Sequence, residues 1–292
     1  MKKILVVGAS GMLGFALHRS LHDQGYDVQG TVRRAAMPHS GWTQDLRYQL
    51  SVDADDIDSV RRAAQSMEAQ IVINAAGVIK QVDAVKDEAT LFRLNSVFPK
   101  RLEIAAERDG FKLIHFSTDC VFSGRSGNRR EIDIPDAEDA YGASKLIGEV
   151  TRSALTLRTS IIGLGMQPNG SLIDWFLSQT GQVRGFPNAF FSGLPVNAIA
   201  QFIGQDLLPR RSNLHGLYHL AAAPVDKARL LSLTAARWGR DDIQIVPDES
   251  FRIDRSLDSA SLKQVVPHNV ADWPALIDDM YDFYAKLGER AS

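Results

Sequence analysis

Ile4-Leu5-Val6-Val7-Gly8-Ala9-Ser10-Gly11-Met12-Leu13-Gly14 is the stretch on which the fold turns. A continuous apolar, mostly β-branched run ending at a glycine suits a strand buried on both faces. From Met12 to Gln24 the period changes: Leu13, Ala16, Leu17 and Leu21 recur at helical spacing, and Gly25 stands where a helix would end. Glycines between strand and helix permit a tight turn and close backbone approach. Gly8, Ser10, Gly11, Met12, Leu13 and Gly14 could then cradle a diphosphate at the helix N-terminus, where unpaired N–H groups and the macrodipole favour anions. The spacing is GxxGxxG, not GxGxxG.

Outward from that turn the alternation continues. Strands are expected at 26–32, 71–73, 112–117 and 154–160, with helices at 56–67, 87–109 and 140–153 between them. Strands alternating with helices imply right-handed crossovers and a parallel sheet, so the predicted fold is α/β, a doubly wound (Rossmann) sheet. After Ile162 the rhythm breaks at a glycine-rich loop over 163–171, expected to cover a ligand. A helix at 172–178, another at 196–207, a strand at 216–220, a helix at 226–238, a strand at 243–246 and a last helix at 273–287 follow. The expected division is a dinucleotide-binding domain over 1–160, with about 195–222 returning to it, and a smaller C-terminal α/β substrate lobe over 161–292.

Composition narrows the function. The chain has 292 residues, 45% of them hydrophobic, enough for a sizeable core and against disorder. A formal charge of −2, from 33 basic and 35 acidic residues, gives no bulk signature of nucleic-acid or anionic-membrane binding, so a small-molecule partner fits better. The single cysteine, Cys120, excludes an internal disulfide and a thiolate metal cluster. His18 and His22 share a helical face but lack the acidic residue of a metal motif, so no metal site is expected and both read as surface residues. The opening Met1-Lys2-Lys3 runs directly into an apolar stretch far too short for a signal or a span, and a cytoplasmic protein is expected.

Chemistry gathers at three further places. An NAD-binding chain would carry an acid at the end of the second strand to hold the ribose 2′-hydroxyl; this one reads Thr31-Val32-Arg33-Arg34. Two guanidiniums there suit a 2′-phosphate, so NADPH is favoured over NADH. Asp45 and Leu46 could edge the adenine. Asn74-Ala75-Ala76-Gly77 follows the third strand with small residues that let backbone approach the cofactor. Ser117 and Thr118 end the fourth strand at the carboxyl edge, where open α/β sheets bind ligands. Tyr141 and Lys145, four apart on a helix, share one face, and the helix leads back to that same edge. A phenol whose pKa is drawn from ~10 towards neutrality by a nearby ammonium could protonate an alkoxide as it forms.

These residues resemble the extended short-chain dehydrogenase/reductases, and more narrowly the dTDP-4-dehydrorhamnose reductase-like branch. The matching segments run along most of the chain: residues 8–14 resemble the branch's fingerprint, 74–77 its third-strand turn, 117–124 (STDCVFSG) its STDYVFxG, 141–145 (YGASK) its YGxSK, 157–160 its LRTS and 216–220 its GxYH strand. By this resemblance Thr118, Tyr141 and Lys145 form a catalytic triad, and Asn95 matches the Asn of the branch's long helix. Cys120 stands where the reductases usually have Tyr and related dehydratases Glu, and Phe191 to Val196 only partly resembles FGxPT. The resemblance thus implies an NADPH-dependent reductase of a nucleotide-linked 4-keto-6-deoxy sugar, of the kind used in polysaccharide biosynthesis. Lys80, Asp119, Cys120, Ser171 and Trp175 would contact substrate, with Arg184, Arg252 and Arg255 as candidates for the diphosphate. It also allows a homodimer. The alternatives are a nucleotide-sugar epimerase or dehydratase with tightly bound NAD, which Arg33, Arg34 and Cys120 disfavour, and a non-catalytic regulatory subunit.

Overall fold

In the computed structural model, which describes residues 2–34, 41–78, 87–166 and 170–291, the chain opens with β1 (Lys3–Val7), α1 (Met12–Asp23), β2 (Asp27–Thr31) and β3 (Tyr48–Gln49). It goes on through α2 (Ile57–Ser66), β4 (Ile71–Asn74), α3 (Glu88–Phe92), α4 (Phe98–Asp109), β5 (Lys112–Thr118), α5 (Ala140–Ile147) and β6 (Leu155–Thr159). Then come β7 (Ile161–Ile162), α6 (Leu172–Leu177), β8 (Gly181–Gly185), β9 (Ala189–Phe191), β10 (Leu194–Pro195), α7 (Val196–Gln201), α8 (Leu208–Arg211) and β11 (Gly216–His219). The rest is β12 (Val225–Asp226), α9 (Lys227–Arg237), β13 (Ile243–Pro247), β14 (Ile253–Asp254), α10 (Ala260–Val265) and α11 (Trp273–Ala291).

Seven strands form the main sheet in the order β11-β6-β5-β4-β1-β2-β3, and every pairing in it is parallel. β1 shows why. Its side chains alternate between two cores, as a pleat requires. Ile4 and Val6 pack with α1, α7 and α11 through residues such as Leu17, Ile199 and Met280. Leu5 and Val7 face the opposite way, towards Val60 of α2 and Leu102 of α4. Each such fully buried aliphatic side chain contributes about 1.5–3 kcal/mol. The sheet is thus covered on both faces, and its one place of reversal lies between β1 and β4, where crossovers leave in opposite directions. Gly8 and the 74–77 turn emerge side by side there, at the carboxyl edge.

Several local features depart from the sequence reading. β3 was not expected; it is two residues long, too short to carry a period. The helix predicted over 87–109 contains a π turn at Arg93–Val97, which holds Asn95, and the one predicted over 196–207 passes into a second π turn at Phe202–Leu207. The helix predicted over 140–153 stops at Ile147, and beyond it Glu149 bonds the buried guanidinium of Arg158. His18, expected at the surface, is fully buried with its ring edge-on to Tyr48 at 4.8 Å, and burial lowers its pKa to about 3.

Past β6, small sheets take over. β8 pairs in parallel with β13, β10 with β7, and β9 lies between β12 and β14. β11 leaves this region to pair with β6 at the edge of the main sheet. Among the described residues no helix is long and apolar enough to cross a membrane.

Candidate active site

The glycine turn is built by contacts that only glycine allows. Gly8 has φ +85°, and a Cβ there would lie 2.8 Å from the backbone of Ala76; a side chain would push the β1 and β4 exits apart. The turn is tied to β2, since Gly8 N–H donates to Thr31 Oγ1 at 3.3 Å and Ala9 N–H to the Thr31 carbonyl at 3.0 Å. Gly11 precedes α1 without any side-chain cap, so the first-turn N–H groups of Met12 and Leu13 point out unpaired by a side chain. A Cβ on Gly11 would meet nothing closer than the Gly8 carbonyl at 3.5 Å. The protein's own packing does not require glycine at that position, and the uncapped N–H groups at the start of α1 would suit a diphosphate.

Arg33 and Arg34 follow β2, both exposed, and neither forms an ion pair among the described residues. The Asp45 carboxylate pairs with the buried guanidinium of Arg19, one of the two bonds measuring 3.0 Å, and Leu46 packs into the core.

The 74–77 turn is wired to both neighbours. Asn74 Oδ1 accepts from Ala76 N–H at 3.1 Å, and its amide meets His115 Nδ1 at 3.1 Å. Asn95 is buried in the π turn and acts as a clamp: its Oδ1 accepts from Val78 N–H at 2.9 Å, while its Nδ2 donates to the Val78 carbonyl at 3.0 Å and to Ser144 Oγ at 3.2 Å. This joins the β4 exit to α5, one residue from Lys145. Gly77 lies under that junction, its missing Cβ 3.0 Å from Asn95 Oδ1 and 4.0 Å from Lys145 Nζ.

Lys145 is 8% exposed, and its Nζ donates to the Phe116 carbonyl of β5 at 2.7 Å. Burial lowers its pKa to about 8, with the Glu149 carboxylate opposing. Thr118 Oγ1 donates to Asp119 Oδ1 at 3.2 Å and accepts from Cys120 N–H at 3.2 Å. The Thr118 hydroxyl lies close enough to the Tyr141 phenol to favour its phenolate, while the Lys145 ammonium is held further back along β5, at Phe116. The sequence expectation of a phenol drawn towards neutrality is not what this geometry gives. Burial, followed by the Cys120 thiol, pushes the Tyr141 pKa up, and only the Thr118 hydroxyl works against it. Lys145 spends one N–H on Phe116, so its charge is anchored to β5 instead of resting on the phenol.

Ser117, expected to touch cofactor, turns its hydroxyl to Glu149 Oε1 at 2.7 Å, and Glu149 in turn grips Arg158 with two bonds of 2.7 and 2.8 Å. Ser171 caps α6, accepting from Asp174 N–H at 3.0 Å. Trp175 on the same helix is 43% exposed. Arg184 lies exposed on β8, paired with Asp248 at 3.2 Å, and Arg252 is exposed. Lys80 and residues 167–169 of the covering loop lie outside the described residues.

Asp119 is buried, and burial raises its pKa against the opposing charges of Arg255 and Lys227. Arg255 Nη1 donates to Cys120 Sγ at 3.2 Å, and the thiol pKa is pushed up to about 12 by burial. The sequence reading missed Lys227 altogether. Its only local signal is Asp226, the helix cap before it, which marks a helix start and says nothing of where the ammonium goes.

A family model described as the RmlD substrate binding domain matches residues 1–228. Among curated proteins, the chain is 31% identical over 148 residues to methionine adenosyltransferase 2 subunit beta of Danio rerio, covering 51% of this chain and 42% of that protein. It is 32% identical over 167 residues to the dTDP-4-dehydrorhamnose reductase of Burkholderia thailandensis, covering 54% and 49% respectively. The matches thus span about half the length of these relatives or less. Among solved structures, a dTDP-4-dehydrorhamnose reductase from Bacillus anthracis in complex with NADP superimposes with a TM-score of 0.80 over 97% of this chain and all of that one, at 19% identity. The likeness is one of fold.

Proposed function

Because the chain belongs to the RmlD substrate-binding-domain family, we propose that it is an NADPH-dependent reductase of a nucleotide-linked 4-keto-6-deoxy sugar. What supports this reading is the placement of Tyr141 beside Thr118 at the carboxyl end of β5, with Lys145 bonded to Phe116 of the same strand, together with a glycine turn that leaves the start of α1 without a side-chain cap. That turn fits a dinucleotide: the uncapped N–H groups of α1 would hold its diphosphate, Arg33 and Arg34 its 2′-phosphate, and Lys145 a ribose hydroxyl. The cofactor, when bound, supplies the hydride.

The chain's own residues handle the proton. Turned from Asp119 towards the substrate, the Thr118 hydroxyl donates to the ketone oxygen and positions it against the Tyr141 phenol. As negative charge grows on that oxygen, the phenol gives up its proton to it; a pKa raised by burial keeps the proton on Tyr141 at neutral pH until it is needed. Lys145, fixed by the Phe116 carbonyl, keeps two N–H groups for the cofactor ribose. Residues 1–160 with about 195–222 would serve the cofactor, and the remainder the sugar nucleotide.

Replacement of Tyr141 by Phe tests the proton assignment. General acid catalysis contributes about 10²- to 10⁴-fold, so single-turnover oxidation of NADPH should slow by that factor while NADPH affinity changes little. An unchanged rate in Tyr141→Phe would remove the phenol from the mechanism.

A further inference from the structure

Two cations stand at the ends of the three-stranded sheet β12-β9-β14. Asp226 of β12 and Asp254 of β14 both pair with Phe190, and the residues that follow them are Lys227, the first of α9, and Arg255, just past β14. The Lys227 ammonium stands 4.5 Å above the Phe191 ring. Arg255 reaches Cys120 Sγ, and its stem is admitted by Gly124, which has φ +88° and whose missing Cβ would lie 3.0 Å from Arg255 Cγ. Both cations therefore face the Asp119–Cys120 corner, next to Thr118.

The charges in this corner are poorly matched. Lys227 forms no hydrogen bond or ion pair among the described residues, and Arg255 Nε is buried without a partner. Asp119, 5% exposed, has no ion pair either, although it lies within the field of both cations. Desolvated charges left unpaired are costly, and two cations against one carboxylate leave a surplus positive charge. One oxyanion would balance it.

We propose that Lys227 and Arg255 form an oxyanion-binding position in the substrate cleft, supplied by the C-terminal part of the chain and set opposite Asp119. This rests on the reading of the chain as a sugar-nucleotide enzyme, and the oxyanion is carried by that substrate, as its diphosphate or as a carboxylate on its sugar.

The test is calorimetric titration of the NADPH-loaded protein with dTDP, thymidine, UDP-glucuronate and UDP-glucose, for wild type, Lys227→Met, Lys227→Arg and Arg255→Met. Loss of a charge-assisted contact should weaken binding by 10-fold or more. Weaker dTDP binding in Lys227→Met and Arg255→Met, with thymidine unaffected and affinity regained in Lys227→Arg, identifies the diphosphate as the source. Unchanged dTDP binding, with UDP-glucuronate losing its advantage over UDP-glucose, identifies the sugar carboxylate. No nucleotide binding by wild type, or equal affinities in all variants, overturns the proposal. NADPH affinity, measured alongside, is expected to be the same in every variant; its absence from wild type would instead count against the cofactor reading. A purely structural Lys227 would lower the melting temperature without changing these affinities.

Discussion

The two ends of the cleft above the sheet are built in opposite ways. At the β5 end, the polar groups around the phenol are already engaged: Lys145 on Phe116, Asn95 on Val78 and Ser144, Ser117 on Glu149, and Glu149 on Arg158. At the β2 end, Arg33 and Arg34 are exposed and carry no ion pair among the described residues. The first end is fixed before any ligand arrives, which is what proton transfer requires, since a donor misplaced by an ångström loses much of its effect. The second keeps its two guanidiniums exposed. On the proposed function, position would be set at one end and selection at the other.

If this contrast is correct, Glu149→Gln should be the most damaging change. It would leave the Arg158 guanidinium, on a side chain 3% exposed, without its carboxylate, at a cost of about 3–5 kcal/mol. Urea unfolding measures this, and a loss below about 1 kcal/mol would mean that the β5 end is no more tightly set than the surface.

Lys145→Met sharpens the same point through pH. The lysine pKa falls from 10.5 in an unstructured chain to about 8 in the fold. A depressed lysine destabilises the fold wherever both states are protonated, below pH 8, and the penalty fades as pH rises from 8 to 10.5. At about 1.4 kcal/mol per pKa unit, removal of the ammonium should give the variant a gain approaching about 3 kcal/mol at pH 7 relative to its standing at pH 10.5, offset equally at both by the lost bond to Phe116. Thermal melts at the two pH values check this, and an identical wild-type-to-variant difference at both would show that Lys145 is not desolvated.

Arg33→Ala with Arg34→Ala should have the smallest effect on the fold, within about 0.5 kcal/mol, as exposed substitutions usually do. Its effect belongs to binding: charge-assisted hydrogen bonds to a phosphate are worth about 1.5–3 kcal/mol each, so NADPH should bind at least about 10-fold more weakly and NADH unchanged. Equal weakening of both cofactors, followed by fluorescence titration, would place the selectivity elsewhere.

Much of the frame was legible from residue patterns because long-range packing reinforces them. The strand buried on both faces could be read from Ile4 to Val7, and the glycine turn from its place between strand and helix. The nearness of Thr118 to Tyr141 could be anticipated because both sit at strand or helix ends whose order in the sheet was predictable. What escaped has a physical reason. β3 is two residues long, and the π turn around Asn95 differs from the helix about it by one hydrogen-bond register, which side-chain periodicity does not mark. Whether Lys145 serves the phenol or a backbone carbonyl depends on the depth at which α5 packs on β5. Lys227 and Arg255 are brought together by three strands of two or three residues, where alternation has no length in which to show. His18 looked exposed because its polarity was read without knowledge of Tyr48, whose ring covers it.

The most direct measurement is NADPH oxidation by the wild-type protein with a panel of dTDP-, UDP- and GDP-linked 4-keto-6-deoxy sugars, together with an assay for nucleotide released on denaturation. Oxidation is expected with at least one member of the panel, faster with NADPH than with NADH, and with no stoichiometric NAD carried through purification. No oxidation with any member, alongside tightly held NAD, would contradict it and make the chain an epimerase or dehydratase of the same fold.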